Sequence, residues 1–453
     1  MNSHVRSKSS HTIDENSASG AQQEKSSSAD TPDPIAVIHR YEPRATQTLA
    51  PIVWQRAEGC YVFDREGRRY IDFTSGIMVA NVGHAHPRVR EAIRRQLDEP
   101  LLHAYLFPTE ARSRLVEKLV TMSPDSLQKV LLLSTGAEAI EVCIKLTRLH
   151  GQSIDKQKKA IIAFENAYHG RTTGAQMLAS DASHKDWIVN PDPDIHHLPF
   201  PAEHEGEEEF LRQMQALETR GLQLNGVAGF VIESYLGMRG PRFFPAPYVQ
   251  ALRRWASAHQ ALVAFDEIQS GFGRTGKLFC YQHYDVDADL VACGKGISSS
   301  LPLSAVLGRA ELLDLPGPGH LSSTHTGNPL CCAAALAALT VLEEENLVAE
   351  AARKGAIVAQ ALAGMAKRNP DRIEKIMGRG LVHAIYFVDP STRLPDTKLA
   401  RRVTDHALAG GMMLFHTSNE TIKLVPPLMI PDEALAQGLT ILEQAIQQAI
   451  AEL

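Results

Sequence analysis

Short runs of wholly apolar residues, separated by stretches patterned as helices, limit the possible folds of this chain more than any other feature. The runs are Val130–Leu133, Ala160–Phe164, Val227–Ile232, Ala261–Phe265, Leu290–Ala292 and Ser304–Leu307. Each is too short for a helix and too uniformly apolar for a strand with one wet face. Both faces of such strands must be covered, as in a largely parallel sheet flanked by helices. Segments 137–149 and 247–258 carry apolar residues at helical spacing and supply that cover. A large α/β domain is therefore expected over residues 90–330. Segment 331–453 is expected to give linking helices over 331–371, then a mixed region of a smaller domain ending in an amphipathic helix at Asp432–Leu453. Residues 35–89 are expected to contribute to that smaller domain. A chain of 453 residues exceeds what one core normally supports, which agrees with two domains.

Charge and composition exclude several classes of function. Lys and Arg total 46 against 52 Asp and Glu, a net charge of −6, which argues against non-specific binding to nucleic acid or an anionic membrane surface. No apolar run approaches the roughly 18 residues of a spanning helix. Met1–Pro34 holds nine serines and few large apolar residues, so a disordered tail is expected there. It lacks the apolar stretch of a secretory signal, and Asp14, Glu15 and Glu24 argue against a transit peptide, so a cytoplasmic location is expected. The cysteines Cys60, Cys143, Cys280, Cys293, Cys331 and Cys332 form no CxxC pair and have mostly apolar neighbours. They are expected to be buried, reduced side chains rather than metal ligands.

Three places carry chemistry. Ser134-Thr-Gly-Ala-Glu-Ala139 follows a strand and opens a helix, where small residues and unpaired N–H groups form a phosphate cup. Alone, it is better read as a strand–helix turn capped by Ser134 or Thr135. Asp266 ends an apolar strand, where ligands of open α/β sheets bind, or it caps the next turn. Lys295 stands between two glycines after another apolar run. Partial desolvation there would lower its pKa and make its amine nucleophilic, although a lone lysine can also snorkel to the surface. Gly271-Phe-Gly-Arg-Thr-Gly276 matches GxGxxG by letter, but no helix opens after it, so it is not a dinucleotide fingerprint. Taken in order, a phosphate cup, a carboxylate and a lysine are what pyridoxal phosphate needs for its phosphate, its ring nitrogen and its aldehyde.

With those residues in place, the chain resembles the class III (ω-amino acid) aminotransferases, closest in pattern to the 4-aminobutyrate members. The resemblance runs from about Tyr70 to the C-terminus. It rests on Asp72-Phe-Thr-Ser-Gly-Ile77, Gly83-His-Ala-His-Pro87, Tyr168-His-Gly-Arg-Thr172, Asp266-Glu-Ile-Gln-Ser-Gly-Phe-Gly-Arg-Thr-Gly276, Gly294-Lys-Gly296 and Thr324-His-Thr-Gly-Asn-Pro329. It implies the aspartate-aminotransferase-like α/β fold, with a mostly parallel seven-stranded sheet and a smaller α+β C-terminal domain. It implies pyridoxal 5′-phosphate as cofactor, with Lys295 as Schiff-base residue and proton shuttle and Asp266 on the pyridinium nitrogen. Gln269 would lie near the phenolic oxygen, Tyr168 on the ring with His169 beside it, Glu233 nearby, and Gly136 and Ala137 on the phosphate. Thr324 would reach the phosphate in a neighbouring subunit, which implies a homodimer with active sites at its interface. Arg171 matches an arginine holding the substrate's distal carboxylate, unless it is a structural arginine pairing a sheet-edge carboxylate. Ile77 and Lys423 would complete the substrate side, for an amine donor and a 2-oxo acid acceptor.

The pattern departs from the family in one linked pair. Where 4-aminobutyrate members carry Glu-Pro-x-Gln-Gly-Glu-Gly, this chain reads Glu233-Ser-Tyr-Leu-Gly-Met238-Arg, and Lys423 stands where they carry the arginine partner of the second glutamate. Met238 cannot mask a cation, and a lysine lacks bidentate geometry. A racemase or epimerase on the same scaffold is therefore the alternative expectation, because it needs no second substrate. A non-enzymatic cofactor-binding protein is disfavoured by the joint presence of Lys295, Asp266 and Tyr168.

Overall fold

A computed structural model describes residues 32–45, 52–180, 182–238, 240–417 and 420–453. The serine-rich tail lies outside the described residues as far as residue 31. The described residues up to Val53 belong to one unit, in which the helix Pro34–Tyr41 is N-capped by the Asp33 carboxylate. Residues 54–453 form the other unit.

A seven-stranded sheet organises the larger unit. Its spatial order is Lys129–Leu133, Ser304–Gly308, Leu290–Cys293, Leu262–Asp266, Val227–Glu233, Ala160–Phe164 and Ile195–Leu198. All neighbours run parallel except Ser304–Gly308, which is antiparallel to both of its partners. The five inner strands are buried at every position, as their apolar runs require. Ile195–Leu198 went unread because it is an edge strand: partial burial lets it carry His196 and His197, so it shows no apolar run. The helices Gly136–Ile154 and Ala246–Ala258 match the patterned segments and pack against the sheet.

The C-terminal part is helical and sheet-bearing. Pro329–Glu344 and Leu347–Arg368 are long helices, and Asp432–Ala451 closes the chain. An antiparallel sheet joins Ile373–Arg379, Val382–Phe387, Thr421–Leu424 and Phe415–His416. N-terminal strands Trp54–Glu58, Tyr61–Asp64 and Arg69–Asp72 form a further sheet, completed by Met412–Met413 from the far end of the chain. The glycine-rich 271–276 stretch is structural. Its Arg274, fully buried, donates to the carbonyls of Leu381 and Pro426 and to Asn81 Oδ1, tying three distant segments together. All six cysteines are free, and all but Cys331 are buried.

His383, on Val382–Phe387, gives a prediction about pH and stability. Burial holds its imidazole neutral, with a pKa of about 4 against the ordinary 6.5. As pH falls below 6.5 the unfolded chain takes up this proton first, so stability drops until pH nears 4. The full loss is about 3 kcal/mol. Equilibrium denaturation of wild type and His383→Leu at pH 7 and near pH 4 should show their difference shifting toward the variant by that amount.

Candidate active site

Two adjacent parallel strands end in carboxylates, Asp266 directly opposite Glu233 in register. The strand on the other side of Asp266, Leu290–Cys293, leads two residues later into Lys295. The sheet therefore delivers residues from three separate stretches of sequence to one edge, outside the carboxyl ends of its parallel strands.

Asp266 is held from two sides. Its Oδ1 accepts from the Ile268 N–H at 3.0 Å, and its Oδ2 lies 2.8 Å from Nδ1 of His169. Burial of His169 disfavours a charged ring, but the hydrogen bond and charge of Asp266 outweigh it and raise the imidazole's pKa. Nε2 of His169 is buried without a partner, as is Oε1 of Gln269. Each carboxylate oxygen of Asp266 keeps lone-pair capacity for a further donor.

Lys295 has φ of +44°, a strained left-handed conformation for a side chain with Cβ. Burial lowers its pKa against the pull of Asp266 and Glu233. Among the described residues its amine makes no hydrogen bond. A desolvated amine with no partner is primed for attack on a carbonyl carbon.

The turn before Gly136–Ile154 is a capping box. Thr135 Oγ1 accepts from the Glu138 N–H, while the Glu138 carboxylate accepts from the N–H groups of Ser134 and Thr135. The cap and the phosphate cup are thus compatible: the box occupies those three amides, and the N–H groups of Gly136 and Ala137 have no partner among the described residues. They stand at the positive end of a 19-residue helix.

These groups surround one cavity of about 560 Å³. Gly136 and Ala137 line one part of it, Asp266, His169 and Gln269 another, with Lys295, Glu233, Tyr168 and Arg171 completing it. The Arg171 guanidinium lies 5.8 Å from the Tyr168 ring centroid and is exposed. Sequence reasoning missed Val79, Tyr235 and Leu301–Leu303, which form an apolar stretch of wall. No local pattern marks them, because only folding brings them to the cavity.

Three candidates are not in that lining. Thr324 is exposed on the loop before Pro329–Glu344. Ile77 is 49% exposed, in a turn where Ser75, Gly76, Ile77 and Met78 all have positive φ. Lys423 is buried and donates to the carbonyl oxygen of Gly237.

The cavity fits pyridoxal phosphate: two unpartnered amides at a helix N-terminus for the phosphate, a braced carboxylate for the ring nitrogen, an orphaned amide oxygen on Gln269, and a half-buried lysine whose amine makes no hydrogen bond among the described residues. This combination defines a pyridoxal-phosphate enzyme. Comparison with known proteins narrows the class. The sequence model of the class-III aminotransferases matches residues 41–446, and the chain belongs to that family. It is 35% identical to the 2-aminoadipate transaminase of Pseudomonas putida, over 91% of this chain and 97% of that protein. It is 33% identical to a probable 4-aminobutyrate aminotransferase of Bacillus subtilis, over 86% of this chain and 92% of that one. A solved amine transaminase from an uncultivated Pseudomonas species, with pyridoxal phosphate bound, superposes with a TM-score of 0.82 at 26% identity, covering 90% of this chain and 99% of that one.

The chain is thus an aminotransferase that uses pyridoxal phosphate, on the α/β fold of the transaminases. The racemase alternative draws no support from these relatives, which are transaminases. No helix among the described residues is long and apolar enough to cross a membrane.

Proposed function

We propose that this enzyme moves the amino group of a 4-aminobutyrate-like donor, an amine whose chain ends in a carboxylate, to a 2-oxo acid. The observation that carries this reading is the placement of Arg171 and Lys295 in one cavity. Among the described residues they are its only lysine or arginine side chains. One guanidinium suits a distal carboxylate, and the lysine serves the reacting end. Relatives named for 4-aminobutyrate and for 2-aminoadipate both use substrates that carry a carboxylate beyond the reacting carbon, which supports the reading.

When bound, pyridoxal phosphate supplies an aldehyde for the amine and a ring that withdraws electrons from the carbon losing its proton. Lys295 would hold the aldehyde carbon and then carry the proton between donor carbon and cofactor, its low pKa leaving a neutral fraction to act as base. Asp266 would face the ring nitrogen, with His169 fixing the carboxylate's orientation. Gly136 and Ala137 would bind the phosphate. Tyr168 would cover the ring, and Gln269 and Glu233 would flank it. Thr324, exposed and outside its own cavity lining, suits the neighbouring subunit's site in a cytoplasmic homodimer.

Steady-state turnover with 4-aminobutyrate, 2-aminoadipate and single amino-acid enantiomers, each with a 2-oxo acid, tests the donor assignment. Wild type should favour the donor with a distal carboxylate. Arg171→Met should lose about 10- to 100-fold in kcat/KM for that donor, the worth of a charged hydrogen bond. Equal loss for butylamine, which has no carboxylate, would remove Arg171 from substrate binding.

A further inference from the structure

Lys423 sits on Thr421–Leu424, a strand hydrogen-bonded on both sides, by Val382–Phe387 and by Phe415–His416. Its backbone is therefore fixed. Its side chain is 3% exposed, and its Nζ donates to the Gly237 carbonyl and lies 5.6 Å from the Phe415 ring centroid. Met238, next along the turn, is 44% exposed and brings no carboxylate to this ammonium.

The turn that Lys423 holds touches the cavity from two directions. The Gly237 N–H donates to Glu233 Oε2 at 3.0 Å, while Glu233 Oε1 accepts from the Tyr168 N–H at 2.8 Å. A Cβ on Gly237 would stand 2.5 Å from Gln269 Oε1, so the turn's backbone lies directly against that side chain. A chain of contacts thus runs from the Lys423 ammonium through Gly237 and Glu233 to Tyr168, with a branch to Gln269. To reach a substrate, Lys423 would have to leave the Gly237 carbonyl and strand a buried polar group, which is costly.

We propose that Lys423 is a positioning residue: it tethers the Glu233–Gly237 turn, and through it sets Tyr168 and Gln269 against the bound cofactor, rather than gripping a substrate carboxylate. The inference rests on the assignment of Tyr168 and Gln269 to the cofactor.

The test compares the wild-type holoenzyme with Lys423→Met, Lys423→Arg and Gly237→Ala. Three quantities are read: the dissociation constant for pyridoxal phosphate, the visible circular dichroism of the bound cofactor, and kcat/KM for 4-aminobutyrate and for butylamine. Lys423→Met should weaken cofactor binding about tenfold, the loss of one charged hydrogen bond. It should also diminish the visible dichroism and lower kcat/KM by the same factor for both amines, while Lys423→Arg restores the dichroism. Unchanged cofactor affinity and dichroism, with a loss confined to 4-aminobutyrate, would make Lys423 a carboxylate anchor and overturn the proposal. If Lys423→Met does not fold, Gly237→Ala decides through the cofactor measurements, because it displaces Gln269 and leaves Lys423 in place; wild-type values there would also overturn it. Failure of the substrate assignment would appear separately, as a wild type that binds cofactor but does not use 4-aminobutyrate.

Discussion

Lys295→Ala is expected to abolish turnover, by about 10⁴-fold or more, because in the proposed mechanism the same amine would both hold the cofactor's aldehyde carbon and carry the proton. The variant should still bind pyridoxal phosphate, since Gly136, Ala137 and Asp266 are untouched. The absorbance band that marks covalent attachment should disappear. Its fold should not suffer. The substitution removes a half-buried amine with no hydrogen-bond partner among the described residues and keeps a Cβ at φ of +44°, so backbone strain is unchanged and the stability of the cofactor-free chain should change by less than about 1 kcal/mol. Lys295→Gly should gain about 1 kcal/mol by relieving the left-handed strain. Spectrophotometry and denaturation of the cofactor-free proteins separate these effects; turnover at the wild-type rate in Lys295→Ala would end the mechanism proposed for it.

Asp266→Ala should produce the second large loss, about 10²- to 10³-fold in kcat, the usual cost of deleting one fixed charge aimed at a reacting group. The side chain does two jobs here. It lines the cavity, where on the proposed reading it would meet the ring nitrogen, and its Oδ2 lies 2.8 Å from His169 Nδ1. Without it, burial, the largest influence on His169, is opposed only by the smaller pull of the Glu233 charge, so the imidazole's pKa should fall below 6.5 instead of standing above it. The ring would then be neutral at pH 7, so the fold survives the loss of its partner. NMR titration of His169 should show that drop alongside the lost activity. An unshifted His169 would mean that Asp266 does not control it.

How much of this was legible beforehand differs from element to element. The inner strands showed as apolar runs because burial on both faces leaves no room for polar residues. Ile195–Leu198 did not, because an edge strand tolerates histidines. Ser134 and Thr135 were both candidate caps by residue type; the fold makes Thr135 the cap, and the first-turn amides of Gly136 and Ala137 lie outside the box. Tyr235, Val79 and Leu301–Leu303 carried no signal, because wall residues are chosen by shape rather than by a repeating pattern.

Lys423 marks the boundary most clearly. Its place in the sequence suggested a substrate anchor, yet its amine is bound to a backbone carbonyl far away along the chain. The sequence by itself determined the inner strands of the sheet, the helix that follows the first of its motifs, the order of the small-residue turn, carboxylate and lysine, and, with the further motifs, the family and its cofactor. These are local patterns, set by burial, capping and the chemistry of single side chains. The tertiary structure alone decided which cations face the cavity, which oxygens remain unpaired, and that Arg171 enters the lining while Lys423 does not. Those depend on which partners lie within about 3 Å, and hydrogen bonds fall off too steeply with distance and angle for sequence spacing to fix them.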